Sequence, residues 1–287
     1  MTATAARVPE GHSTAREPDA MTISRVLITG AAGALGRQLR AGLAGRYPLL
    51  RLSDIAAMDP AQPGEEIVTA DLADVDATAR LCEGVDAIVH FGGQSLEAEW
   101  ATVIAANITG LVNLYEGARK AGVGRVVFAG SNHAIGLYRR TQRLDHLSPA
   151  RPDSRYGVSK AFGEDLAAYY AYKHGIRSLC LRIGSCFATP RNARMLSTWL
   201  SYPDLIRLVE VGLNADYVFE VVYGVSRNSR SWWDNSNAYR LGYAPEDDAE
   251  RFAAEVEHIV AEDPLDEAFQ GGGFVPPDFD GDMRLIP

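Results

Sequence analysis

Cysteine is scarce: Cys82, Cys180 and Cys186 are the only three in 287 residues. They form neither the even, spaced set of a disulfide framework nor the CxxC pair of a zinc or redox site. A reducing compartment, the cytoplasm, is the expected location. Long apolar runs are missing as well, since no stretch of about 18 residues stays uncharged and apolar, so no membrane span is expected. Positive charge is in deficit, with 28 Lys and Arg against 37 Asp and Glu and a formal charge of -9. Binding to nucleic acid, which needs a basic face to displace counterions, is therefore not expected.

What the chain does have is apolar content, 47% of its residues, enough for one domain or for one domain with a small appended lobe. Met1 to Ala20 mixes Arg7, Glu10, Arg16, Glu17 and Asp19 with Ala, Thr and Pro and lacks a signal-peptide core. A disordered extension is expected over residues 1–22, with Met21 an alternative start of translation. From Ser24 onward, β-branched runs alternate with amphipathic stretches, the pattern of βαβ units. Strands are expected at Arg25 to Thr29, Leu49 to Ser53, Ile67 to Thr69, Ala87 to Phe91, Arg125 to Ala129 and Ser178 to Ile183. Helices are expected at Leu35 to Leu43, Val75 to Cys82, Ile108 to Ala121 and Tyr156 to Tyr172. The fold class is α/β, a Rossmann-type doubly wound parallel sheet over residues 23–185. After Ile183 the alternation weakens, and Pro190, Asn192, Pro203 and the cluster from Trp232 to Asn235 point to a small substrate-binding lobe over 186–287. Its final stretch, Gly271 to Pro277, is too rich in Gly and Pro for a helix or strand.

The first strand runs directly into Gly30, Ala31, Ala32, Gly33, Ala34, Leu35 and Gly36, a GxxGxxG turn that opens a helix. Glycines there permit a tight turn and let backbone N–H groups and a helix N-terminus approach a pyrophosphate. Asp54 ends the second strand 24 residues beyond Gly30. An acid at that place accepts from a ribose diol and repels a 2'-phosphate, so NAD is expected rather than NADP. Asp71 and Leu72 after the third strand, and Phe91, Gly92 and Gly93 after the fourth, lie where such sheets bind ligands, although a purely structural turn explains each nearly as well.

Tyr156 and Lys160 form a YxxxK pair, four residues apart on one face of the expected long helix. A phenol has an ordinary pKa of about 10, so a base near neutral pH needs adjacent positive charge, which Lys160 and an oxidised nicotinamide both supply. Ser131, ending the fifth strand, is placed to hydrogen-bond the same substrate oxygen. These residues together resemble the extended short-chain dehydrogenase/reductase superfamily. The segments Ser131 to Gly136, Arg182 to Cys186, Arg194 to Trp199, Trp232 to Ser236 and Phe269 to Gly272 resemble one of its families, the uronate dehydrogenases.

That resemblance implies NAD-dependent oxidation of a hexuronic acid at C1 to an aldarolactone. Tyr156 would be the general base, Lys160 its partner and holder of the nicotinamide ribose, and Ser131 the group orienting the reacting oxygen. It carries Asn107, Ile183 and Cys186 to the cofactor, and Ser95, Asn132, His133, Ser185 and Arg194 to the sugar. A homo-oligomer is implied; no metal is. Arg194 makes sense independently, because an acidic protein that attracts a carboxylate needs a local cation, and guanidinium pairs bidentately. His133 stays open between sugar contact and a satisfied core imidazole. Trp232 and Trp233 are left to the core. Gly130 and Ala134 depart from the family pattern without removing a functional group. Two readings compete: a nucleotide-sugar epimerase or dehydratase of the same superfamily, and a dinucleotide sensor without catalysis.

Overall fold

A computed structural model describes residues 22–287; the extension expected over 1–22 lies, apart from Thr22, outside the described residues. The expected β and α alternation forms β1 (Arg25–Thr29), α1 (Ala34–Leu43), β2 (Leu49–Asp54), β3 (Glu65–Thr69), α2 (Val75–Cys82) and β4 (Ala87–His90). A short helix from Trp100 widens into π-turns over Ile104–Thr109 and continues as α3 (Gly110–Ala121), followed by β5 (Arg125–Phe128), α4 (Arg155–His174) and β6 (Arg177–Ile183). The chain then returns to the sheet through α5 (Tyr202–Asn214) and β7 (Phe219–Gly224), and α6 (Pro264–Ala268) follows near the C-terminus.

The seven strands are all parallel, in the order β3-β2-β1-β4-β5-β6-β7. The order reverses between β1 and β4, and the crevice at that switch point is where open α/β sheets bind ligands. The inner strands β1, β2, β4, β5 and β6 are buried on both faces, and alternate residues feed two cores. Val26 and Ile28, Leu50 and Leu52, and Leu179 and Leu181 pack toward α1 and α5. Leu27, Ile88, Val126, Phe128 and Cys180 pack toward α2, α3 and α4.

The sheet does not end at β6 as the sequence suggested. Pro203 sits in the first turn of α5, where a missing N–H goes unused and its fixed φ suits a helix, so it opens an element rather than breaking one. Helix α5 then covers the sheet with Leu205, Leu208, Val209 and Leu213, and β7 pairs with β6 from Ser178↔Phe219 to Ile183↔Gly224. The division drawn at residue 185 therefore does not bound the sheet. What stands apart from it is a two-residue ladder, Ser185–Cys186 with Trp199–Leu200, and the C-terminal segment. Gly271 to Pro277 contains only a single 3-10 turn, Gly272–Phe274. Trp233 is core: it is 2% exposed and stacks on Tyr223 at 4.9 Å.

Candidate active site

A cleft of about 1170 Å³ runs along the carboxyl ends of the strands. At one end stands the glycine turn. Gly30 has φ +71, and a Cβ there would lie 2.4 Å from the Phe91 carbonyl oxygen; a Cβ at Gly36 would lie 2.0 Å from the Gly30 carbonyl. Helix α1 has neither a side-chain cap nor an acidic residue in its first turn, whereas α2 and α4 are capped by Asp74 and Ser154. The free N–H groups of α1 therefore face the cleft beside Gly33, Ala34 and Leu35, with the partial positive charge that an anionic phosphate requires. Asp54 is tied to that turn: Ala32 N donates to its Oδ2 at 3.0 Å and Ala56 N to its Oδ1 at 3.0 Å. Asp71, Leu72, Phe91, Gly92, Gly93, Ile183 and Cys186 also line the cleft.

Asn107 does not. Its amide is turned inward, donating to the Gln94 carbonyl at 3.0 Å and to Ser159 Oγ at 2.9 Å and accepting from Gln94 N at 2.8 Å. It fastens the loop after β4 to α4, and Gly93 (φ +121) passes so close that a Cβ would lie 2.5 Å from Asn107 Oδ1.

Tyr156 and Lys160 project from the first turns of α4, 8% and 7% exposed. Two residues hold that helix end. Ser154 Oγ accepts from Gly157 N at 3.0 Å, and Glu97 accepts from the backbone N–H groups of Arg155 and Tyr156 at 3.2 and 3.0 Å. Lys160 Nζ donates to the Ala129 carbonyl at 2.8 Å and lies 5.5 Å from the centre of the Tyr156 ring. Burial pushes the phenol up to about 12, with the neighbouring Ser131 hydroxyl pulling it down and Asp153 pushing it up. Burial also pulls the Lys160 ammonium down to about 8. An additional positive charge in the cleft is what would bring Tyr156 toward neutral pH. Ser131 caps the 3-10 turn Asn132–Ile135, its Oγ accepting from His133 N at 3.1 Å. At Gly130 a Cβ would lie 2.9 Å from the Leu181 carbonyl, so the departure noted there leaves no room for a side chain.

The far end of the cleft is polar. Arg194 donates through Nε and Nη2 to the Gln270 carbonyl, at 3.2 and 2.5 Å, and through Nη1 to Ser185 Oγ at 3.1 Å. With its amide in the orientation that satisfies both atoms, Asn132 accepts from Arg194 Nη2 at 2.9 Å and donates to the Ile183 carbonyl at 3.0 Å. Among the described residues no carboxylate lies within 4.0 Å of the Arg194 guanidinium. Burial pulls it down to about 10, and Arg140 lowers it further while Asp153 and Asp266 raise it. A desolvated cation without an ion-pair partner, open to a cleft, is a receptor for an anion. Ser95, Asn132, His133 and Ser185 line the same cleft.

Four contributors were not visible in the sequence. Asp153 accepts from or shares a proton with His133 Nδ1 at 2.7 Å, Glu97 caps α4, the Gln270 backbone holds Arg194, and Phe274 stacks on His133 with ring centres 3.8 Å apart. All are long-range contacts. The only local cue was an acidic residue immediately before the Ser154 cap. Trp232 and Trp233 do not reach the cleft. No helix among the described residues is long and apolar enough to cross a membrane, and none of their His, Cys, Asp and Glu side chains cluster in threes able to hold a metal.

Comparison with known proteins agrees with this architecture. The model of the NAD dependent epimerase/dehydratase family matches residues 26–234. The chain is 51% identical over 256 residues to a uronate dehydrogenase of Pseudomonas putida, covering 88% of this chain and 95% of that one. It is 49% identical over 257 residues to a uronate dehydrogenase of Agrobacterium fabrum, covering 88% and 97%. A solved structure of an Agrobacterium tumefaciens uronate dehydrogenase, a Tyr-to-Ala mutant complexed with NAD, superimposes with a TM-score of 0.85 at 48% identity, covering 88% of this chain and 97% of that one. This chain belongs to the NAD dependent epimerase/dehydratase family, and its curated relatives at about half identity are uronate dehydrogenases.

Proposed function

We propose that this protein is an NAD-dependent oxidoreductase that oxidises a hexuronic acid, D-glucuronate or D-galacturonate, at C1 to the aldarolactone. The observation that carries the reading is Arg194, a partly buried guanidinium that faces the cleft without a carboxylate partner among the described residues. A sugar carboxylate supplies the missing charge, which a neutral aldose cannot do. The uncapped N-terminus of α1, the glycine turn and Asp54 fit the pyrophosphate and adenosine ribose of NAD at the other end.

In this reading Tyr156 Oη takes the proton of the anomeric hydroxyl, and Ser131 Oγ holds the same oxygen. The chemistry NAD supplies when bound is acceptance of the hydride from C1, so that C1–OH becomes the lactone carbonyl. Lys160, whose ammonium has donors beyond the one given to the Ala129 carbonyl, holds the nicotinamide ribose and stabilises the phenolate. Arg194, with Asn132, His133, Ser185 and Ser95, fixes the carboxylate and hydroxyls. Asn132 and His133 follow Ser131 where a dehydratase needs an acidic pair, which weighs against that alternative. Cytoplasmic location and assembly as a homo-oligomer belong to the same proposal. The free cysteines Cys82, Cys180 and Cys186 support the first, and Tyr169 and Tyr172, 46% and 71% exposed on α4, support the second.

The test is NAD reduction by the purified protein with a panel of uronic acids, aldoses and nucleotide sugars. Turnover restricted to uronates is expected. Turnover of nucleotide sugars, or of none of these compounds, would overturn the reading.

A further inference from the structure

Between the acid–base pair and Arg194 lies a group with no part in proton abstraction. The Asp153 side chain is 0% exposed, and it sits in a space that glycine creates. A Cβ on Gly136 would lie 1.7 Å from its Oδ2, and one on Gly271 would lie 1.9 Å away. Oδ1 accepts from Ser154 Oγ at 2.7 Å, and Oδ2 meets His133 Nδ1 at 2.7 Å. The His133 ring is gripped further by Phe274, stacked at 3.8 Å with an interplanar angle of 26°, and its edge faces Tyr156 at 5.8 Å. His133 lines the cleft; Asp153 does not. Its Nε2 has no hydrogen-bond partner among the described residues, yet it is not a sealed, unsatisfied atom. It therefore opens on the cleft.

A carboxylate can only accept, so it draws the imidazole proton to Nδ1 and leaves a lone pair on Nε2. We propose that Asp153 is a positioning residue that fixes His133 in the Nδ1–H tautomer, making Nε2 an acceptor for one sugar hydroxyl beside the reacting carbon. The pair thereby reads the presence and direction of that hydroxyl, while Arg194 reads the carboxylate. This assignment rests on the uronate reading for its ligand. The tautomer does not, and it is measurable without substrate.

The experiment has two arms. In the first, ¹⁵N spectroscopy of the histidine side chains, with His133 assigned by its loss in His133→Gln, shows a protonated Nδ1 and an unprotonated Nε2 in the wild type and a mixture of tautomers in Asp153→Asn. A wild-type Nε2–H tautomer overturns the proposal whatever the substrate proves to be. In the second, kcat/KM on the preferred uronate falls about ten- to a hundred-fold in both Asp153→Asn and His133→Gln. The double variant loses little more than either single one, because Asp153 acts through His133. NAD affinity and Tm of Asp153→Asn stay near wild type, which shows that the variant is folded. Additive losses in the double variant would make Asp153 merely structural and overturn the proposal. Absence of uronate turnover in the wild type would refute the substrate reading while leaving the first arm decisive.

Discussion

Lys160 is the residue at which stability and function pull apart most clearly. Its ammonium is held down from 10.5 to about 8 by burial. Between those values the folded chain binds fewer protons than the unfolded one, so stability rises with pH across that window. Below pH 8 the buried charge is a burden of about 3 kcal/mol on folding. Lys160→Met should therefore lose turnover by at least about a hundred-fold while its Tm at pH 7, measured without NAD, equals or exceeds that of the wild type. The gap should narrow as pH rises toward 10. A Tm lowered by several degrees at pH 7 would show that the bond to the Ala129 carbonyl outweighs the buried charge. Asp54 invites a different test, because its oxygens already accept from Ala32 N and Ala56 N. Asp54→Asn keeps an acceptor and shape but loses charge. The ratio of kcat/KM for NAD over NADP should fall about ten-fold or more, chiefly through improved use of NADP; an unchanged ratio would place the 2'-hydroxyl elsewhere.

At the scale of elements, the close approach of α1 to β1 is what the glycine turn secures. Gly36→Ala would bring a Cβ to 2.0 Å from the Gly30 carbonyl and 2.7 Å from Ala31 Cα, both backbone atoms that cannot swing aside. A loss of about 2 to 3 kcal/mol is expected, or a Tm lower by about 5 to 10 °C, with weakened NAD binding. Gly45→Ala, where φ is +73 but nothing lies within 4 Å, should lose no more than about 1 kcal/mol and leave NAD affinity unchanged. Differential scanning calorimetry and cofactor titration of the two variants check this contrast. Elements of this kind were legible from the chain because their signals are local: the strand, the glycine spacing and the acid that ends β2 all lie within 30 residues. Helix α5 and strand β7 were not. Pro203 looks like a breaker until its place in the first turn is known. The run Phe219–Gly224 becomes the edge strand of the sheet only because β6 is there to pair with it.

For the whole molecule, the cleft joins two halves built differently. The dinucleotide end comes from β1, β2 and β4 and could be read residue by residue. The substrate end is assembled from the turn after β5, the start of α4, the ladder after β6 and the C-terminal segment, which lie far apart in sequence. The side chains with reactive groups, Ser131, Tyr156, Lys160 and Arg194, announced themselves. The residues that hold the site in place, Glu97 at the start of α4 and Asp153 and Phe274 around His133, did not, and the amide of Asn107, expected at the cofactor, is engaged by the loop after β4 and by Ser159. The C-terminal segment is also tied down by arginines: Arg139 donates to the Met283 carbonyl at 2.5 Å, Arg151 to the Pro287 carbonyl at 2.6 Å, and Arg155 pairs with Asp278 at 3.1 Å. Gly271 itself is held at the substrate end by its N–H, which donates to the Gly136 carbonyl at 2.9 Å, and Phe274 by its stack on His133.

The central claim, that Arg194 selects a sugar carboxylate, is tested most directly by kcat/KM for wild type and Arg194→Ala on a hexuronate and on the matching neutral aldose, with NAD affinity measured in parallel. Loss of a partly desolvated ionic contact is worth about 2 to 5 kcal/mol, so the variant should lose about thirty-fold to several thousand-fold on the uronate. It should lose little on the aldose, which the wild type uses poorly, and bind NAD as the wild type does. Equal losses on both sugars, or a loss confined to NAD affinity, would contradict the account.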